Sequence, residues 1–258
     1  MDKEKVHLRK IILTGLMITL VFIATSIIKI PTTNGYIHLG DGFVFISAYL
    51  LGPFYGAIAA GVGSMLADLL SPYAQWALPT FIIKSLMALI MGLIIRQKNK
   101  KQTSITVSAI LIVWVGFFTA IKSALQKAVN TALDNLAGAL EDSPGNVQKL
   151  AGNVQTTLTI AIILFIVLVL ALVYRINKKQ KYSSLGPGII LGMISAGTCM
   201  IIGYFITEII LYGNPISPAF SVPMNIIQFI MGIFIFLAVT PGLKKAYTFI
   251  YGESQDAN

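Results

Sequence analysis

Long apolar runs recur along this 258-residue chain and are separated by short polar segments. An α-helix needs about 20 apolar residues to cross a bilayer, and a helix satisfies its own backbone hydrogen bonds in lipid. The ten-residue alternating segments that are typical of a membrane β-barrel do not occur. The pattern therefore predicts an all-α, polytopic membrane helix bundle. The runs lie at about residues 11–30, 42–70, 79–95, 105–125, 157–174, 186–212 and 223–241.

The composition agrees with a membrane protein. Hydrophobic residues make up 56% of the chain and charged residues only 11%, whereas soluble domains carry about 25% charged residues. The single cysteine, Cys199, lies in an apolar run and has no partner for an intrachain disulfide.

The net charge of +9 is concentrated in short clusters that border the apolar runs. Basic residues next to membrane segments mark the cytoplasmic side, so the charge does not indicate a nucleic-acid partner. Fourteen of the 19 lysines and arginines lie in these clusters: Lys3, Lys5, Arg9 and Lys10; Arg96, Lys98, Lys100 and Lys101; Arg175, Lys178, Lys179 and Lys181; Lys244 and Lys245.

The clusters also predict the number of membrane crossings. The clusters at 3–10 and 96–101 should share the cytoplasmic side, which requires an even number of crossings between them. The run 42–70 must then cross twice. We expect it to turn at Gly52 and Pro53, because proline breaks a helix and glycine permits a tight turn. Eight segments result, with both termini cytoplasmic.

The first half of the divided run is too short to cross alone. A helix over 42–51 rises about 15 Å, half of a hydrocarbon core of about 30 Å. The preceding stretch 31–41 must dip into the membrane, where irregular backbone is tolerated only inside protein or against a wet cavity. The sequence thus predicts a cavity that is open to the outside and lined by Asn34, Tyr36, His38 and Asp41.

Charged side chains near this stretch give further candidates. Asp41 is either a helix N-cap or a ligand contact, and His38 contacts ligand or pairs with Asp41. An intramembrane lysine usually pairs or faces a cavity. We expect a structural pair between Asp68 and Lys84, with ligand contact by Lys84 as the alternative.

Aromatic and amide residues at other helix ends complete the candidate site. Trp76 either anchors at the membrane interface or stacks on a flat heterocycle. Tyr204 and Glu208 lie one turn apart, and Asn225 and Gln228 share one face of the next segment. These four either contact a neutral polar ligand or join helices.

Signatures of enzymes and metal sites are absent from the sequence. It contains no GxxxxGK[ST] phosphate loop, no HExxH and no CxxC. We expect no catalytic residue, no metal and no cofactor. Two other classes stay open: a stand-alone secondary transporter, which would favour internal repeats, and a membrane-embedded enzyme, for which only Asp41, His38 and Glu208 are available.

Six motifs, taken in order, resemble the S components of energy-coupling-factor (ECF) vitamin transporters. The likeness is nearest to the branch for hydroxymethylpyrimidine and pyridoxine, which is related to the riboflavin S components. It covers about residues 8–96 and 184–246. The motifs lie at 36–41, 51–57, 63–70, 79–87, 203–208 and 223–228.

The resemblance implies a six-helix subunit in the plasma membrane of a prokaryote. Such a subunit captures a small vitamin at the outer face, and a membrane coupling protein and two ATPases drive its uptake. The ligand then lies under the loop that follows the first helix. The partner-docking face of the first helix corresponds here to Gly15-x-x-x-Thr19, where small residues allow close helix packing.

Residues 103–182 depart from this pattern. We interpret 1–102 and 183–258 as an S-component-like core within one membrane domain, and 103–182 as an inserted transmembrane hairpin. Its outer connection, about 121–156, has apolar residues at helical spacing and a turn signal at Ser143, Pro144 and Gly145. The connection is expected to be amphipathic and helical, serving as a structural appendage or as a lid or partner contact.

Overall fold

The computed structural model describes residues 3–32, 35–97, 99–177 and 186–251. Almost all of the described chain is helical. The helices are α1 (Lys3–Ile27), α2 (Gly40–Leu69), α3 (Ala77–Ile95), α4 (Lys100–Thr131), α5 (Leu133–Ala139), α6 (Pro144–Asn177), α7 (Pro187–Tyr212) and α8 (Val222–Tyr251), with 3-10 turns at Ala74–Trp76 and Ser217–Phe220. Two short strands, β1 (Lys29–Pro31) and β2 (Tyr36–His38), join α1 to α2.

The predicted helical membrane bundle is confirmed in outline. Within the described ranges, seven helices are long and apolar enough to cross a membrane: α1, α2, α3 with its preceding 3-10 turn, α4, α6, α7 and α8. Many of their large apolar side chains face outward, as lipid contact requires.

Helix α2 reverses direction in its middle. Gly52 has a φ of +85°, which favours glycine, and Pro53 follows it. A Cβ atom on Gly56 would lie 2.8 Å from the carbonyl oxygen of Ser47. In a straight helix these residues would be about 13 Å apart. The chain therefore turns at Gly52 and Pro53, as the sequence predicts.

The stretch between α1 and α2 is more regular than expected. The two strands pair antiparallel, with Lys29 opposite His38 and Pro31 opposite Tyr36. The all-α prediction needs this correction. Three-residue strands offer too few positions for an alternating pattern to appear in the sequence. Asn34, which was predicted to line the cavity, lies outside the described residues.

Contacts define two opposite ends of the bundle. At the first, the Lys10 ammonium lies 4.9 Å from the centre of the Tyr251 ring, and the Tyr251 hydroxyl donates to the Leu50 carbonyl at 3.0 Å. The Arg96 guanidinium packs against Gly52 at the same end. We call this the basic end. The strands and the 3-10 turns lie at the other end. Lys98, Lys178, Lys179 and Lys181 fall outside the described residues.

Helices α4 and α6 form a long hairpin beside the other helices. The Trp114 and Phe165 rings stack with centroids 4.5 Å apart. Phe117 of α4 meets Phe205 of α7 edge to face at 5.3 Å, which joins the hairpin to the bundle. Helix α6 begins at Pro144, a residue that suits the first helical turn. The division into core and insertion stays a prediction.

Candidate functional site

A narrow cavity opens at the end of the bundle opposite the basic end. Its empty volume is about 390 Å³, including the open mouth, but the enclosed part has room for no more than a few water molecules. A flat organic ligand would therefore have to move side chains apart. The lining consists of Thr32, Gly35, Tyr36, His38, Asp68, Trp76, Thr80, Tyr204, Glu208 and Asn225.

The β2 strand places His38 in the wall. The ring Nδ1 accepts a hydrogen bond from the backbone N–H of Gly40 at 3.0 Å, so the neutral ring carries its proton on Nε2. His38 therefore has its Nε2–H as the donor that it can offer.

Trp76 presents a polar group without a partner. Its side chain is buried, and Nε1 has no hydrogen-bond partner among the described residues. A Cβ atom on Gly35 would lie 3.7 to 3.8 Å from this edge of the indole. Both residues line the cavity, so the unpaired Nε1–H lies next to the part of the cavity wall that Gly35 forms. A buried donor without an acceptor costs roughly 1–3 kcal/mol, which a ligand acceptor would offset.

Tyr36 fastens the β-hairpin to the end of α2. Its hydroxyl donates to Asp68, and its ring lies 4.6 Å from the ring of Tyr73, centroid to centroid. The Lys29 ammonium lies 4.6 Å from the centre of the Tyr36 ring and donates to the Ala67 carbonyl at 3.1 Å. These contacts hold the hairpin against the cavity.

Helices α7 and α8 supply the opposite wall. Glu208 is buried near the end of α7, and the Ser221 hydroxyl donates to its Oε2 at 2.8 Å. Asn225 follows one turn into α8. The Tyr204 ring meets the Trp76 ring at 5.7 Å, which joins this wall to the 3-10 turn before α3. The lining thus combines aromatic faces with hydrogen-bonding groups.

A buried polar network lies next to these walls. Asp41 forms an ion pair with Lys84, and both side chains are 0% exposed. Gln228 Nε2 donates to Asp41 Oδ2 at 2.9 Å, and Gln228 Oε1 accepts the backbone N–H of His38 at 3.1 Å. Asp41, Lys84 and Gln228 are absent from the lining of the cavity.

A model of the family described as "ECF-type riboflavin transporter, S component" matches residues 5–175. The chain belongs to this family. The match runs through most of α6, so it includes much of the segment that was interpreted as an insertion. The placement in the hydroxymethylpyrimidine and pyridoxine branch receives no support from it.

One curated protein shares a shorter region. It is called "Uncharacterized protein in gap 3'region", from Pyrococcus woesei, and is 45% identical over 65 residues. That region is 25% of this chain and 43% of the relative. The chain therefore covers less than half the length of this relative. No solved structure matches the chain significantly.

The structure of this S-component family member brings most of the predicted site residues together. Six of them line the cavity described above: Tyr36, His38, Trp76, Tyr204, Glu208 and Asn225. The other three, Asp41, Lys84 and Gln228, form the adjacent network. That any of these nine residues binds a ligand stays a prediction.

The expected pair between Asp68 and Lys84 is wrong. Lys84 bonds to Asp41 across α2 and α3, while Asp68 accepts from Tyr36. Both carboxylates lie near the same end of the bundle, so their positions along the helices did not distinguish them. The direction of the Lys84 side chain decides the pairing.

Four lining residues escaped the sequence analysis as ligand contacts: Thr32, Gly35, Asp68 and Thr80. Thr80 lies four residues before Lys84, so it shares that face of α3, and this spacing was an available signal. Gly35 and Thr32 lie in the stretch that was expected to dip. A glycine has no side chain to suggest a role, so only the structure reveals its place in the wall.

Gly15 and Thr19 lie on an exposed face of α1. A Cβ on Gly15 would meet nothing within 4 Å among the described residues, and the Thr19 hydroxyl donates to the Gly15 carbonyl at 3.2 Å. The face is thus open to a neighbouring helix. Within the described residues, no group of His, Cys, Asp and Glu side chains is arranged to hold a metal.

Proposed function

We propose that this chain is the substrate-binding subunit of an ECF-type ABC importer in a prokaryotic plasma membrane. It captures a small water-soluble vitamin in the cavity, and a coupling protein and two ATPase subunits drive the uptake. The observation that carries the proposal is the cavity itself, where aromatic rings and polar groups converge in a member of this family. In this role the chain binds and delivers its ligand without transforming it.

The ligand is a flat heterocycle without a phosphate group. The rings of Tyr36, Trp76 and Tyr204 provide faces for it, and the Trp76 Nε1–H donates to it. Glu208 and Asn225 offer acceptors. Among the described residues the lining has no lysine or arginine to bind a phosphate, and Lys84 is already paired with Asp41. Two carboxylates in the wall, Asp68 and Glu208, would repel an anion.

Riboflavin is the first candidate because the matching family carries that name. Hydroxymethylpyrimidine and pyridoxine are the second, on the resemblance of the motifs. All three satisfy the ligand class. A single ring needs less widening of the narrow cavity than a three-ring flavin does.

The cavity faces outward, and both termini are cytoplasmic. The basic end, with Lys10 and Arg96, then lies on the cytoplasmic side. The reversal at Gly52 lets both halves of α2 cross, the first together with the β-hairpin. The first half has 12 residues and rises about 18 Å. Eight crossings follow, with the connection between α4 and α6 outside.

Cysteine labelling in intact cells tests this orientation. In a Cys199→Ser background, Gly138→Cys in α5 should react with a membrane-impermeant maleimide. Gln102→Cys at the start of α4 should react only after permeabilisation. Both positions are exposed. The opposite pattern would reverse the orientation and place the cavity inside.

Ligand binding by the purified chain, without partners, tests the function. Mass spectrometry of co-purifying molecules should detect an unphosphorylated vitamin. Calorimetry with riboflavin, hydroxymethylpyrimidine and pyridoxine should give tight binding of one of them, and riboflavin 5′-phosphate should bind at least tenfold more weakly than riboflavin, since an uncompensated anion is costly to bury. If none of the three vitamins binds, and cells that lack the coupling protein and the ATPases still take the vitamin up, the chain would instead be a stand-alone transporter.

A further inference from the structure

We propose that Asp41, Lys84 and Gln228 are positioning residues, which hold the walls of the cavity in their binding geometry without touching the ligand. This inference rests on the proposed function. It replaces the expectation that these three side chains contact the ligand. All three are buried, and none of them lines the cavity.

Asp41 connects the elements that carry the cavity walls. It lies in the first turn of α2, it pairs with Lys84 of α3, and it accepts from Gln228 of α8. Gln228 also accepts the backbone N–H of His38, which fixes β2. The Lys84 ammonium lies 5.2 Å from the centre of the Tyr204 ring, which connects the pair to α7. The elements that carry the cavity walls are thus all linked to the Asp41 carboxylate.

The backbones of α2 and α8 meet beside this carboxylate. A Cβ on Gly232 would lie 2.8 Å from the Cβ of Asp41, and a Cβ on Gly42 would lie 2.4 Å from Ile235. Gly232 is four residues after Gln228, so both lie on the α8 face that meets α2. This close approach lets the Gln228 amide reach Asp41 and β2 together.

Stability alone does not explain the network. A buried ion pair can often be replaced by uncharged residues of similar volume with little or no loss of stability. A directed network, however, fixes the positions of the groups it joins. The narrow cavity must admit a ligand between His38, Trp76 and Tyr204, and walls that are already ordered lose less entropy on binding. The network should therefore matter more for affinity than for folding.

The test separates affinity from stability. Asp41→Asn and Lys84→Met each leave one buried charge without its partner and should lower the unfolding temperature strongly. The double variant removes both charges and should recover most of that temperature. Its affinity for riboflavin, or for whichever panel vitamin the wild type binds, should stay about tenfold weaker, because His38 and Tyr204 must be ordered on binding. Lys122→Met, in the α4–α6 hairpin, is the control and should bind normally.

Gln228→Leu keeps the ion pair and cuts only its link to β2, so it gives a second test. Its affinity should fall to a similar extent, and adding it to the double variant should weaken binding by less than the product of the two separate effects, because the three side chains belong to one network. A double variant that binds like the wild type would overturn the inference. If the double variant does not fold, unchanged affinity in Gln228→Leu would overturn it. A wild type that binds no vitamin would instead refute the proposed function.

Discussion

Trp76 is the residue whose hydrogen bonding should change most when a ligand enters the cavity. Trp76→Phe keeps an aromatic ring in the wall but removes the unpaired Nε1–H. We expect vitamin affinity to fall about 5- to 10-fold, the worth of a typical hydrogen bond. The unfolding temperature without ligand should change little, because relief of the unpaired donor offsets the packing that is lost with the smaller ring.

The chain offers a matched control for this substitution. Trp114 also has a buried Nε1 without a partner among the described residues, but it stacks on Phe165 in the α4–α6 hairpin. Trp114→Phe should leave affinity unchanged. Calorimetry on both variants checks the prediction, and equal affinities for the wild type and Trp76→Phe would remove the indole donor from ligand recognition.

How well the sequence predicted single residues depended on what determines the position of each side chain. A length argument directed the stretch with Tyr36 and His38 towards a cavity, and both residues line the cavity of the structure, while their contact with a ligand stays a prediction. The partner of Lys84 was wrong, since Asp41 and Asp68 are both acidic residues near the same end of the bundle. Only the packing of α2 against α3 and α8 decides between them, and that packing involves residues far apart in sequence.

Among the elements, α2 was the best predicted. The positions of distant basic clusters required an even number of crossings, and glycine followed by proline supplied the turn. The β-hairpin was not predicted, because its six strand residues have no recognisable alternation. Its pairing depends on contacts with Asp68, Ala67 and Gln228, all distant in the chain.

Substitution at the turn of α2 tests its geometry. Gly52→Ala should lower stability by about 1–2 kcal/mol, because a residue with a Cβ is strained at positive φ. The new Cβ would also displace the Arg96 guanidinium, 2.4 Å away. Gly152→Ala, on an open face of α6, is the control and should stabilise by up to about 1 kcal/mol. Thermal unfolding in detergent measures both, and an unaffected Gly52→Ala protein would contradict the strained turn.

At the scale of the whole molecule, the proposed binding cavity and the proposed docking face lie on different surfaces. The cavity is at the end away from Lys10 and Arg96, whereas Gly15 and Thr19 lie part-way along the exposed side of α1. Neither residue is among those that line the cavity. A subunit with this arrangement can keep its ligand site intact when its docking face is altered. The proposed transport function therefore predicts that uptake and binding are separable.

Gly15→Leu combined with Thr19→Leu should separate them. Two leucines would hold a neighbouring helix away from α1, where small residues permit close approach. A Cβ at Gly15 would meet no atom of the described residues within 4 Å. Uptake of the vitamin in cells with the coupling module should fall roughly tenfold or more, while affinity of the purified variant stays at the wild-type value. Gly116→Leu on the open face of α4 is the control for added bulk and should transport normally. Full uptake by the α1 variant would exclude this face from docking, and a loss of affinity would mean that α1 contributes to the site after all.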